Sequence, residues 1–461
     1  MRFTPELAEI RFGCGLSPTH APPSSAEAIL DGLLGPDVMA KRFDIDGFDA
    51  FRHRLIEGYD TRKAMLKARG TPDADRLRKA QNRVKQRARK TMFIWAGQDI
   101  QRRIQSETGF RERLVAFWAD HFTAYGKAGI LLRIAPTFIE DAIRPNIARR
   151  FSDLLFAAVT HPAMLHFLDQ ARAAGPNSRG NQGGRRKRGL NENLAREVME
   201  LHTLGVNGPY TQQDVRQLAE LFTGLTYSRH DGFVYRPALA EPGPETILGR
   251  EYGGQRNEFE AIGEVLEDLS VHPETHRHLA RKLAVHFVSD EPDPALIDAL
   301  AQQLTATGGD LVAAYDVLLH HPSSWHPELL NAKPPADFVA SGLRALNAPP
   351  DLFDGMKEKT FRRLVTNPMG AMGQIWQRPA GPDGWPEEDA NWITPHGVST
   401  RIAWAMTAPG ALKLDLPDPR VFVETALGPF AGDPVRFAAG AAESKPEAIG
   451  LVLASPAFQR R

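Results

Sequence analysis

Apolar residues recur along this chain at the three- and four-residue spacing of buried helix faces, and strand-like alternation is confined to one short region. A Pro/Ser loop at 22–25 leads into AEAILDGLLG, a helix with Gly35 as its C-cap. DADRLRKAQNRVKQRARKTMFIWAGQDIQRRIQSE predicts one or two long basic helices. In FRERLVAFWADHFTA, Leu114, Phe117, Trp118 and His121 share the apolar side. IEDAIRPN and RFSDLLFAAVTHPAMLHFLDQ continue the helical pattern. ARAAGPNSRGNQGGRRKRGLNEN has no period and predicts an exposed loop. Helices resume from about Asn257 with EFEAIGEVLEDLSV, HPETHRHLARKLAVHFV, DPALIDALAQQLTATGG and DLVAAYDVLLHH. Three helices are followed by His-Pro, at His161, His272 and His321; Pro suits a first helical position and places the histidine at the cap.

The exception is 233–249, where two β-like runs flank a Pro-Gly-Pro turn and predict a hairpin. The fold class is therefore all-α, one large multi-helix body over 1–461 with a small β-hairpin insertion. Within it, 1–150 supplies N-terminal helices, 151–345 a core with the 191–215 segment, and 346–461 C-terminal helices with a Trp/Pro loop.

Charge narrows the function classes. Lys plus Arg and Asp plus Glu both number 56 in 461 residues, so no global field draws nucleic acid or an anionic membrane. The basic 73–107 run lacks interleaved aromatics and reads as a solvated face, and the RRKR run at 185–188 is a weak polyanion match. Cys14 is the one cysteine, which excludes an internal disulfide and a multi-cysteine metal site. No run approaches the ~20 apolar residues of a membrane span. MRFTPELAEIRFGCG lacks a signal-peptide core, so a cytoplasmic location is expected, with export requiring a signal-bearing partner. There is no G-x-S-x-G elbow, P-loop or G-x-G-x-x-G, so no nucleotide cofactor is expected; a divalent metal stays open.

Candidate chemistry concentrates in NENLAREVMELHTLGVNGPYTQQDV, residues 191–215. On a regular helix Asn193, Arg196, Glu197 and Glu200 share one side, while His202 projects with Leu194, Val198 and Leu201. A metal site from this helix alone is therefore disfavoured. Two neighbouring carboxylates in a cleft would instead push one pKa up, giving the proton donor and ionised partner that acid/base chemistry needs. The alternative is a solvated face with a local Arg–Glu pair. Asp120 and His121 form a second candidate, in which a carboxylate from the 191–204 helix partners His121; the alternative is a core histidine bonded to backbone. Trp385 and Trp392, among Asp383, Glu387, Glu388 and Asp389, could form a platform for a sugar ring or simply staple a loop to the core.

RFGCGLSP (11–18), FRERLVAFWADHFT (110–123), HPAMLHFLDQ (161–170), the 191–215 run, TGLTY (223–227), HPETHRHLARKLAVHFV (272–288), PDGWPEEDANWITP (382–395) and LASPAFQRR resemble one bacterial family, "domain of unknown function 1800". The resemblance runs end to end and implies a helical fold. It also implies a sulfatase-like partner protein from the same gene neighbourhood, of a type that commonly carries a twin-arginine-type export signal. It carries no catalytic residue over. The matching motif positions are Asp120, His121, His161, Asp169, Asn193, Arg196, Glu197, Glu200 and His202. Departures fall at Leu225, Ala240, Glu241 and Glu245, where the family usually has Trp, His, Asp and Lys. Weight therefore moves from the hairpin to the helical face.

Three readings follow. The first is a carboxylate-based, hydrolase-like enzyme acting on a saccharide or other polymer, its cleft walled by the 110–124 and 191–204 helices and roofed by 380–395. Glu197 and Glu200 would be acid/base or nucleophile, with His121 and Asp120 orienting groups, and Asn193, Arg196, Trp385 and Trp392 binding substrate. The second is a non-catalytic partner or export chaperone of the sulfatase-like protein. The third is a metal site using His121 with Glu197 or Glu200.

Overall fold

The computed structural model describes residues 2–182, 188–254 and 258–461. Arg185, Arg186 and Lys187 of the basic run, and the expected helix start at Asn257, lie outside the described residues. The architecture is mainly α-helical, with two small antiparallel hairpins as its sheet structure among the described residues.

The basic run forms one continuous helix, Ala74–Gln105, about 48 Å long. Its first half is polar and largely exposed, as expected of a solvated face. From Trp95 onward Ala96, Ile100 and Ile104 are buried. Helix Gly109–His121 runs through the centre, burying Leu114, Phe117, Trp118 and His121 but also Glu112 and Arg113. Trp118 Nε1 donates to Tyr315 Oη at 2.7 Å, which donates to the Ile147 carbonyl at 2.9 Å, so its polar edge is satisfied in the core.

The helix ends follow local chemistry. His161, His272 and His321 each accept a backbone N–H through Nδ1, at 3.1, 3.1 and 3.2 Å, as the His-Pro pattern predicts. Thr211 and Asp214 form the expected capping box of helix Gln212–Leu221. The 191–204 segment differs from expectation. It is a regular helix only over Asn193–Glu197, then widens into a π-helical turn, Val198–His202.

The β region also differs. β1 (Leu225–Ser228) pairs with β2 (Gly232–Tyr235), and β3 (Pro244–Ile247) with β4 (Arg250–Gly253). The runs on either side of Pro-Gly-Pro thus belong to separate hairpins. Pro237, Pro242 and Pro244 interrupt the N–H ladder between them, whereas Leu248 and Gly249, at φ 49° and 79°, supply a tight two-residue turn.

Two apolar clusters make the core. The larger draws on residues between Leu7 and Trp325. The second joins Phe338–Phe458 to Ala96, Ile100 and Ile104 of the long helix. Trp376 packs against both. The seam is pinned by buried charge. Arg344 donates to the carbonyls of Gly15, Ile104 and Ser106 and contacts Glu9. Asp337 meets Arg103 at 2.8 Å, Arg113 at 3.4 Å, and Arg461.

Burial opposes ionisation of Asp337, but Arg113, Arg461 and Arg103 outweigh it and hold the carboxyl well below its usual range. Its stabilisation is therefore present above the unfolded value and lost as pH falls through the folded one. Asp337→Asn leaves three guanidinium groups facing one another, and chemical denaturation should show a loss of about 3–5 kcal/mol. A loss below about 1 kcal/mol, the level of an exposed pair, would contradict this account.

Candidate functional site

At the seam lies a cleft of about 1080 Å³, its mouth included. One wall is the Gly109–His121 helix, presenting Arg113, Ala116 and Asp120. Asp337, Met369 and Trp376 form the opposite side, and the 385–392 loop covers it with Trp385, Glu387 and Trp392. Cleft formation between two apolar bodies is the usual setting for a ligand site.

The loop is fixed to the helix by backbone geometry. Trp385 N–H donates to Asp120 Oδ1 at 2.8 Å. Gly384 has φ +84°, and a Cβ there would lie 2.7 Å from the Asp120 carbonyl oxygen and Oδ2. Only glycine permits both the left-handed turn and the close approach. Farther along, Asp389 accepts from Ala332 N–H and from Arg460. The Trp385 and Trp392 rings face one another at 6.2 Å and 55°.

Two carboxyl groups in the cleft are driven apart in pKa. Burial, then the charge of Glu387, pushes Asp120 up to about 8. Its place at the C-terminal end of a helix, where the dipole is negative, acts in the same direction. Glu387 goes the other way. Burial opposes its ionisation, but the hydrogen bond from His286 and the charges of Arg461 and Lys282 outweigh it and set it below the ordinary range.

His286 Nδ1 lies 2.9 Å from both Glu387 oxygens, and its Nε2 lies 3.2 Å from Arg113. A guanidinium can only donate, so Nε2 accepts and the Nδ1–H points at Glu387. Burial lowers His286 to about 4, leaving it neutral at pH 7. The result is a protonated Asp120 and an ionised Glu387 facing one space. Environments that separate two titratable groups in this way are the mark of an acid/base pair.

The sequence candidates separate. Asp120, Trp385 and Trp392 line the cleft. The 191–204 segment does not form its wall: Asn193, Arg196, Glu197 and Glu200 are not among the lining residues. Arg196 bridges Glu192 at 3.2 Å, Glu200 at 3.0 Å and Gln212 at 2.9 Å, while Asn193 is exposed. Glu197 is pushed up to about 7 by burial and then by Glu200 and Asp383, the latter on the cleft loop.

His121 is bonded to backbone, not to a carboxylate of that segment. Its Nε2 lies 3.2 Å from the His202 carbonyl, and His278 Nε2 lies 3.0 Å from the Leu201 carbonyl. Both carbonyls sit at the end of the π turn, where backbone acceptors lack helical partners. Burial holds His121 well below its usual value. Among the described residues, no three His, Cys, Asp or Glu side chains are grouped to hold a metal ion. No described helix is long and apolar enough to cross a membrane.

A family model described as "Protein of unknown function (DUF1800)" matches residues 10–460. The chain belongs to this family. No curated protein and no solved structure matches it.

Several cleft residues of this DUF1800 chain were not nominated from the sequence, chief among them Glu387 and His286, with Arg113, Trp376 and Tyr125. Glu387 stood out only as one of several acids in the Trp/Pro loop. The available signal for His286 was a histidine inside the apolar run AVHFV, where a buried ring needs a polar partner.

The Asp120 proton has a thermodynamic signature. Because the folded value lies above the unfolded one, its stabilisation is complete below the unfolded value and gone once pH exceeds about 8. Asp120→Asn keeps an acceptor for Trp385 N–H but cannot ionise. Its Tm relative to wild type should climb between pH 5 and pH 8 and level off above; a pH-independent difference would refute the assignment.

Proposed function

We propose that the cleft is the active site of a hydrolase for a saccharide or a related polymer joined by acetal bonds. The observation that carries this reading is the pairing of a protonated Asp120 with an ionised Glu387 across one aromatic-lined space. Asp120 would give its proton to the leaving oxygen as the C–O bond breaks. Glu387 would take a proton from water as the water oxygen bonds to the same carbon. His286 positions Glu387 through its Nδ1–H, and Arg113 holds the imidazole in that tautomer. Trp376, Trp385 and Tyr125 would offer ring faces to a pyranose, with the buried Trp392 backing Trp385. In this reading Arg196 ties Glu200 to Glu192 and Gln212 outside the cleft, Glu197 and Asn193 do not meet substrate, and His121 latches the π turn.

The test is release of reducing ends from a panel of neutral and uronic polysaccharides. Asp120→Asn and Glu387→Gln should each lower kcat/KM by about 10²–10⁴-fold, Trp385→Ala should act chiefly on KM, and Glu197→Gln should cost less than about tenfold. Wild-type activity should fall as pH rises through about 8, where Asp120 loses its proton. It should persist in acid to below the ordinary carboxylate range, where Glu387 is finally protonated. Wild-type turnover by Glu387→Gln would end this reading.

A further inference from the structure

Along the far side of the cleft the chain makes one tight turn. Arg378 N–H donates to the Ile375 carbonyl at 3.0 Å, so Trp376 and Gln377 occupy the central positions. Both residues line the cleft. Trp376 is firmly held: its ring packs against both apolar clusters and its Nε1 donates to Asp99 Oδ2 at 2.8 Å. Gln377 follows with φ +48°, in the left-handed region that glycine or asparagine fills most easily at this place in a turn. A glutamine holds that backbone only under strain.

The side chain gives the turn nothing in return at its oxygen. Gln377 Oε1 is shielded from water and, among the described residues, has no hydrogen-bond partner. A buried acceptor left unpaired costs the free energy of stripping its water. Polar neighbours in the cleft are already engaged: Gln374 Oε1 accepts from Ala336 N–H at 2.8 Å, and Thr123 Oγ1 donates to the Asp120 carbonyl at 2.8 Å. Backbone strain and an unsatisfied acceptor are separate costs, and here they fall on one residue of the cleft wall. Such costs gather at ligand clamps, where the bound molecule offsets them. Because the oxygen has no protein bond to break, a ligand donor that draws it forward gains a whole hydrogen bond.

We infer, on the reading of the cleft as a saccharide site, that Gln377 is a specificity-determining residue whose amide hydrogen-bonds a hydroxyl of the sugar unit seated against Trp376. The amide sets the class of sugar. Oε1 accepts from one hydroxyl and Nε2 donates to the next, so adjacent free ring hydroxyls satisfy both ends. A unit deoxygenated or esterified at that edge leaves the amide unpaired and is disfavoured. Trp376 and Gln377 are consecutive in the turn, so one sugar ring can meet an apolar face and a polar edge together.

Affinity can be read apart from turnover by tryptophan-fluorescence titration of the full chain, in an Asp120→Asn background, with gluco-, manno-, xylo- and galacturono-oligosaccharides. Gln377→Gly removes the amide and relieves the backbone; Gln377→Met keeps the length without the polar end. Each should weaken binding of the tightest-bound oligosaccharide by about tenfold. Deoxygenating the contacted hydroxyl of that sugar should weaken binding by the same factor when Gln377 is present and have no further effect in either variant. The thermal midpoint of Gln377→Gly should stay level or rise, because the amide serves the ligand and not the turn. If Gln377→Met does not fold, Gln377→Gly decides. Equal affinity in the variants, or a lower midpoint for Gln377→Gly, would overturn the assignment and leave the acid/base pair standing. If no oligosaccharide binds and no reducing ends are released, the saccharide reading falls and this assignment with it.

Discussion

The fold turns on one buried carboxylate, Asp337. It draws Arg103 from the long helix, Arg113 from the central helix and Arg461 from the final strand-like segment to a single point. These groups belong to different stretches of chain, and the two apolar clusters meet where they meet. Apolar burial drives each cluster together without direction. The ion cluster adds the direction, because a guanidinium removed from water must find its acceptors in a narrow range of geometry. Arg344 does the same work nearby through three backbone carbonyls and Glu9.

The cleft inherits its chemistry from this seam. Arg113 faces Asp337 on one side and His286 on the other, so the charge that closes the core also selects the imidazole tautomer beside Glu387. Asp120 sits beyond the reach of those guanidiniums, on the same helix but at its C-terminal end. Seven residues, two turns of one helix, thus separate a position rich in positive charge from one that favours a neutral acid. That gradient is what divides the two carboxyl groups.

Much of the fold is legible from residue order because it depends on neighbours in sequence. Helical periodicity, the histidine caps before Pro162, Pro273 and Pro322, and the Thr211–Asp214 box all follow from interactions within a few residues. The hairpin pairing is the local feature that misled. Pro-Gly-Pro is a strong turn signal, but the prolines that make the turn also remove the donors a ladder requires, and the shorter Leu248–Gly249 turn captured the pairing.

The site was only partly legible. Asp120, Trp385 and Trp392 could be nominated because an acid in an aromatic helix and a Trp pair in a Pro loop are unusual in themselves. Glu197 and Glu200 form as conspicuous a pattern, yet Arg196 occupies one and the cleft opens elsewhere. The sequence by itself determined the helical class and the caps at His161, His272, His321 and Thr211, since these are set by periodicity and capping over short distances. Only the tertiary structure decided which charges meet. Asp337 lies more than 200 residues from Arg103 and Arg113, and Glu387 lies 101 from His286. Whether a carboxyl is solvated, paired or isolated depends on those distant neighbours, and so does its proton.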